Sequence, residues 1–162
     1  MRHIVTGLLS LILLAGACLA EDAAPAKYYK LEFVVKEVDA GKVLNSRTYF
    51  VMGSTSREHD FIRTGSRVPY SEGEKTSYLD VGVNIDVRSL QEASGQLTLR
   101  VDADISSVAS ESTPNHYLPV VRQNRWSSDV TVPLRKPAMI FSSDDLTTKH
   151  QMQLELTATP IT

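Results

Sequence analysis

The chain has 162 residues, of which 17 are Lys or Arg and 19 are Asp or Glu, giving a formal net charge of −2. So even a balance excludes long-range attraction of nucleic acid or anionic lipid, which needs a basic surface. The single cysteine, Cys18, excludes a disulfide framework.

At the N-terminus, Arg2 and His3 precede an apolar run, residues 8–15 (LLSLILLA), and then the small-residue stretch 15–20 (AGACLA). Charge, short apolar core and small-residue exit, in that order, read as a secretory signal over residues 1–20. The run is shorter than the roughly 20 residues that a membrane helix needs. Cleavage after Ala20 would start the mature chain at Glu21. Ala15-Gly16-Ala17-Cys18 also resembles the lipobox of bacterial lipoproteins, so lipidation of Cys18 is the alternative, and only that outcome ties the protein to a membrane. Both outcomes predict export, to the periplasm or the outside of the cell. Residues 21–27 (EDAAPAK) read as a disordered lead-in, and 28–162 as one domain.

From Tyr28 onward the dominant period is two. Tyr28–Val38 and Val43–Met52 read as strands joined by the turn Asp39-Ala40-Gly41-Lys42. Arg57–Tyr70 is a less regular strand, ending in the polar turn Ser71–Lys75. In Tyr78–Arg88, Leu79, Val81, Val83, Ile85 and Val87 alternate with Asp80, Gly82, Asn84, Asp86 and Arg88; a strand places all five apolar residues on one face. Leu97, Leu99, Val101, Ala103 and Ile105 repeat the pattern, and Gln91–Gly95 reads as the intervening turn. Ala109–Pro119, with two prolines, reads as a long connection. Val120–Val132 carries Trp126 in phase with Val130 and Val132. Pro137–Ser142 is short and apolar, Asp144–Lys149 reads as a hairpin loop, and Met152, Leu154, Leu156 and Ala158 alternate in the last strand. The expected fold is all-β: about eight strands in antiparallel hairpins, forming a β-sandwich or a partly open barrel.

Chemistry-bearing patterns are sparse. His59, His116 and His150 lie far apart, and none has a histidine at metal-ligand spacing. Asp144 and Asp145 lack the spacing of a calcium loop. Asp102 and Asp104 sit about 7 Å apart by strand rise, on a face that reads as an ordinary polar surface. There is no nucleophile elbow and no glycine-rich phosphate loop. The expectation is therefore no catalytic residues, no metal and no cofactor. Arg63, Arg67, Arg88, Arg100, Arg122 and Arg125 interleave with Asp80, Asp86, Asp102, Asp104 and Asp129, and read as cross-strand ion pairs on a solvated face.

The order of segments from Ile62 is distinctive. Arg63-Thr64-Gly65-Ser66-Arg67-Val68-Pro69 is followed by Asp80-Val81-Gly82-Val83-Asn84-Ile85-Asp86-Val87. Leu97–Val101, Asp104–Val108 and the Arg-containing segment Pro119–Arg125 come next, leading into Val130-Thr131-Val132. Over about residues 62–145 this resembles the C-terminal β-domain of the secretins, channel subunits of type II and type III secretion and type IV pilus systems. The family's Gly-rich closing hairpin is replaced here by Leu134–Asp145, which lacks its glycines. The resemblance implies a shared hairpin architecture and a role in the cell envelope, through contacts with envelope proteins or self-association. An alternative from the residues is a small-ligand or glycan-binding sandwich using Tyr117 and Trp126, although phase puts Trp126 toward the core.

Overall fold

A computed structural model describes residues 25–72, 74–108, 120–145 and 150–161. The leader with Cys18 and Ala20, the 109–119 connection with His116 and Tyr117, and positions 146–149 lie outside the described residues. Eight strands run in chain order: β1 (Tyr28–Asp39), β2 (Lys42–Ser54), β3 (His59–Glu72), β4 (Lys75–Ala93), β5 (Gln96–Val108), β6 (Val121–Pro133), β7 (Ala138–Asp144) and β8 (His150–Ile161). They form two four-stranded sheets, ordered β2-β1-β8-β7 and β3-β4-β5-β6, and every pairing between strands is antiparallel. The expected all-β sandwich of hairpins is the observed fold, and neither sheet closes into a barrel.

Alternation explains the core. Tyr29, Leu31 and Phe33 of β1 face Pro160, Ala158 and Leu156 of β8 in register. The buried side chains of these two strands pack onto Val83, Ile85 and Val87 of β4 and onto Leu97, Leu99, Val101, Ala103 and Ile105 of β5. Tyr29, Leu31, Phe33, Leu154 and Leu156 are 0% exposed. Each such aliphatic or aromatic side chain contributes about 1.5–3 kcal/mol on burial. Trp126 packs against this core, its ring 5.6 Å from that of Phe141. At the crossover from the second sheet to the first, Leu134 bridges to Ala158, and the Arg135 amide donates to the Ala158 carbonyl at 2.8 Å.

One expected boundary is corrected. β4 does not stop at Arg88 but runs to Ala93, and the turn shrinks from Gln91–Gly95 to Ser94-Gly95, both at positive φ. The strand survives because a bulge between Arg88 and Gln91, with Ser89 at φ 56°, shifts the side-chain phase by one residue. Leu90 then points inward, 4% exposed, where strict alternation from Val87 would have turned it to solvent.

A second irregularity lies where β3 and β4 leave the rest of their sheet. Gly65 pairs with Gly82, and β4 pairs with β5 only from Val83 onward. A Cβ on Gly82 would sit 2.1 Å from the Thr64 carbonyl oxygen, and one on Gly65 2.3 Å from that of Val81. The two backbones approach closely there because neither residue has a side chain. At the kink, the Gly82 amide donates to the Ser106 hydroxyl at 3.1 Å in place of a β5 backbone partner.

Candidate interaction surfaces

The outer face of the second sheet carries the arginines and aspartates in a connected ladder. Register sets its pattern, because Asp86 lies opposite Asp102 and Arg88 opposite Arg100, so like charges face one another across β4 and β5. The side chains resolve this diagonally. Arg88 donates to Asp102 at 2.8 Å, and Arg63 donates through one nitrogen to both oxygens of Asp86, at 2.7 and 2.8 Å. His59 Nε2 lies 2.5 Å from the same carboxylate. Arg100 reaches Ser127 at 2.9 Å and Asp129 at 3.4 Å, and Ser127 in turn donates to Asp102. Asp104 accepts from Gln123 and Arg125, and Arg67 pairs with Asp80 at 3.0 Å. Arg122 departs from the ladder and pairs with Asp145 at 3.4 Å, while Asp144 accepts from Gln151 at 2.9 Å. Each of the six arginines and five aspartates read from the sequence is thus in an ion pair.

The electrostatics follow from these bonds. Partial burial works against the charge on Asp86, but the hydrogen bonds from Arg63 and His59 outweigh it and hold the carboxyl below its usual range. Asp104 behaves alike: burial opposes its charge, and Gln123 and Arg125 lower its pKa. At the opposite end, burial raises the Tyr29 phenol and its bond to Glu92 raises it further, while the bonds from Tyr29 and Lys27 hold Glu92 low. Such pairs on exposed strands are each worth about 0–1 kcal/mol. Their stronger effect is on register, since a one-residue slip would break the whole ladder at once.

The histidines do not converge. His59 joins the ladder, and His150 lies 2.8 Å from Glu37 on the other sheet. Among the described residues, no three His, Cys, Asp or Glu side chains group to hold a metal ion. One carboxylate escaped the sequence reading. Asp60 is 6% exposed; one oxygen accepts from Arg57 at 2.5 Å and the other is buried with no hydrogen-bond partner among the described residues. The available signal was its phase, because Asp60 lies two residues before Ile62 and so shares its inward side of β3.

At the Asp39 end of β1 the two sheets part around a cleft of about 910 Å3. Its walls mix the polar side chains of Glu37, Asn45, Arg47 and His150 with the apolar ones of Val35, Val83, Ile105 and Met152, whereas the buried core at the other end is apolar. Trp126 does not line it. The remaining surface features are strand edges. β2 and β7 bound the first sheet, and β3 and β6 bound the second, each with one side unpaired among the described residues.

No family model and no curated relative matches the sequence. Among solved structures, the secretin InvG of the Salmonella SPI-1 type III secretion injectisome is similar at 10% identity and a TM-score of 0.49, covering 85% of this chain. The type II secretion secretin XcpQ of Pseudomonas aeruginosa gives 11% identity, a TM-score of 0.44 and 84% coverage. The type II secretin GspD of enteropathogenic Escherichia coli gives 9%, 0.46 and 85%. This chain spans 64%, 57% and 66% of the length of those three chains, respectively.

Proposed function

We propose that this chain is an exported, non-catalytic, secretin-like β-domain that acts through protein contacts in the bacterial cell envelope, in a secretion or pilus-type assembly. The observation that carries this reading is the pairing of the polar chemistry. The arginines, aspartates and His59 of the second sheet are engaged with one another, while four strand edges stay open as surfaces for association. The secretin-like order of residues 62–145 supports the same assignment. Export rests on the leader, with cleavage after Ala20 or lipidation of Cys18, and the intact mass of the mature chain separates the two. The test of function is chemical cross-linking and affinity recovery from envelope extracts. A reproducible set of envelope proteins, or a self-complex, is expected; consistent recovery of an isolated monomer refutes the reading.

The cleft, with its mixed polar and apolar walls, favours a second reading, a small-ligand or glycan-binding sandwich. Tyr49 and Arg47 offer a ring and a guanidinium on one wall, and Glu37 and Asn45 offer hydrogen-bonding groups. Titration with cell-wall sugars, followed by tyrosine fluorescence and by calorimetry, tests it. Saturable binding lost on Tyr49→Ala supports the cleft, and a flat response removes it.

A further inference from the structure

The four open edges differ in how they are protected. β3 contains Pro69, and its Arg63 and Arg67 are held by Asp86 and Asp80. β6 ends at Pro133 and carries Arg125 and Asp129, both in ion pairs. β7 is only seven residues long, and its register shifts between Met139 and Phe141. Prolines, paired charges, short length and irregularity are the devices that stop edge strands from pairing further.

β2 has neither proline nor a paired charge, and its one irregularity is confined to its start, where Leu44 is skipped as the pairing with β1 passes from Val43–Val38 to Asn45–Glu37. It runs 13 residues without proline, and Lys42 and Arg47 are its only charges. Its centre reads Thr48-Tyr49-Phe50-Val51-Met52, a run of β-branched, aromatic and apolar residues with strong strand preference. Leu44 is 48% exposed, Phe50 64% and Met52 46%. Gly53 and Ser54 are buried, so the accessible edge ends at Met52.

We infer that β2 associates with β2 of a second copy of this chain, edge to edge and antiparallel, joining the two first sheets into one eight-stranded sheet across a two-fold axis. A two-fold contact uses the same patch on both copies. Hydrogen-bonded and non-hydrogen-bonded pairs alternate in an antiparallel ladder, so the axis must pass beside a residue that faces its own twin. Centring on Arg47 would set two guanidiniums directly opposite, which is unfavourable. Centring on Thr48 pairs the regular stretch, residues 45–51, in full, over about 23 Å of edge. In that register Ser46 faces Phe50 of the second copy, and Asn45 faces Val51. Arg47 faces the Tyr49 ring, a cation–π arrangement. This self-complementarity, with the like charges staggered, selects a second copy over a foreign strand. The inference rests on the contact-protein reading, but its failure is separable: a monomer that still recovers envelope proteins overturns the dimer alone.

The test uses the exported protein and four variants of it, followed by native mass spectrometry and sedimentation. The unaltered protein is expected to be a dimer at micromolar concentration. Thr48→Lys and Thr48→Glu, at an exposed position, should each weaken it at least about tenfold by setting like charges opposite. An equimolar mixture of the two variants should restore a one-to-one heterodimer, a rescue that no general loss of folding can imitate. With Cys18 replaced by Ser, oxidation should cross-link Thr48→Cys but not Ser46→Cys, which faces Phe50. A monomeric unaltered protein, a dimer indifferent to both charged variants, a failed rescue, or a ring or filament built head to tail overturns the inference.

Discussion

Replacing Gly82 with alanine tests the account of the β3–β4 kink, because two separate penalties meet at that residue. Its φ is +155°, a conformation that L side chains rarely adopt. The added methyl would also lie 2.1 Å from the Thr64 carbonyl oxygen and 2.4 Å from the Gly65 Cα. The conformational penalty is about 1–3 kcal/mol. Relieving the clash requires β3 to retreat by about 1 Å, which disturbs roughly two ladder bonds at about 1 kcal/mol each. Together these put the loss near 3–5 kcal/mol. Gly41 supplies the control: its φ is +83° but nothing lies within 4 Å of the Cβ position. Gly41→Ala therefore carries the conformational penalty alone, about 1 kcal/mol at the low end of its range. With a urea slope of about 2 kcal/mol per molar, Gly82→Ala should lower the unfolding midpoint by about 2 M and Gly41→Ala by about 0.5 M. Circular dichroism at 215–220 nm gives both. Equal shifts for the two variants would refute the claim that close approach of the strands, rather than φ, dominates at Gly82.

Three further outcomes follow from the same geometry. Asp86 and Asp104 have folded-state pKa values below their ordinary ones, so their stabilisation is complete above the unfolded value of about 3.9 and is lost as pH falls through the folded values. Urea midpoints measured from pH 7 to pH 3 should fall at the acid end, and less steeply in the double variant Asp86→Asn/Asp104→Asn; an unchanged slope would refute the assignment. Asp102→Asn removes the carboxylate between Arg88 and Arg100, which lie directly opposite each other, and should cost about 1 kcal/mol. That loss should shrink in 1 M salt, where the screening length is about 3 Å; a salt-independent loss would point to packing instead. Leu156→Ala, at a fully buried site between Phe33 and Ala138, should cost about 2–5 kcal/mol by thermal or urea unfolding.

Where a side-chain period held, the fold was legible in the residues. The runs 79–87, 97–105 and 152–158 alternate strictly, and the buried faces of β4, β5 and β8 follow them residue by residue. Legibility failed at Ser89-Leu90, because a bulge changes phase without any residue type that demands it, and the broken alternation looked like the end of a strand. The ladder was legible as a set but not as partners. Asp86 faces Asp102, and only the diagonal reach of Arg63 and Arg88 shows how the like charges are accommodated. Gly65 and Gly82 stood out in the sequence as parts of two motifs 17 positions apart; that they face each other is a consequence of register, which depends on the turn between β3 and β4. The cleft was hidden for a similar reason. Asn45, Arg47 and Tyr49 occupy the inward phase of β2, yet a polar inward phase and a polar outward one look alike until the partner strand fixes the face.

The contrast between the two sheets bears on how the domain associates. Nearly every charge on the outer face of the second sheet has a partner on a neighbouring strand, so docking a protein there would require breaking ion pairs whose members are already hydrogen bonded and partly buried. Removing one partner of such a pair leaves the other uncompensated, a cost that a new contact must first offset. The first sheet carries fewer such constraints. Its outer face has the pairs Lys30–Glu32 and Lys36–Glu155, and the first of these leaves the Lys30 ammonium over the Phe50 ring at 5.3 Å, beside the open edge. A strand added at β2 would satisfy main-chain groups that now face solvent and cover Leu44, Phe50 and Met52 without disturbing any ion pair of the second sheet. In the proposed assembly the ladder thus keeps one side of the sandwich for solvent and for register, and the contact with a second copy falls to the other.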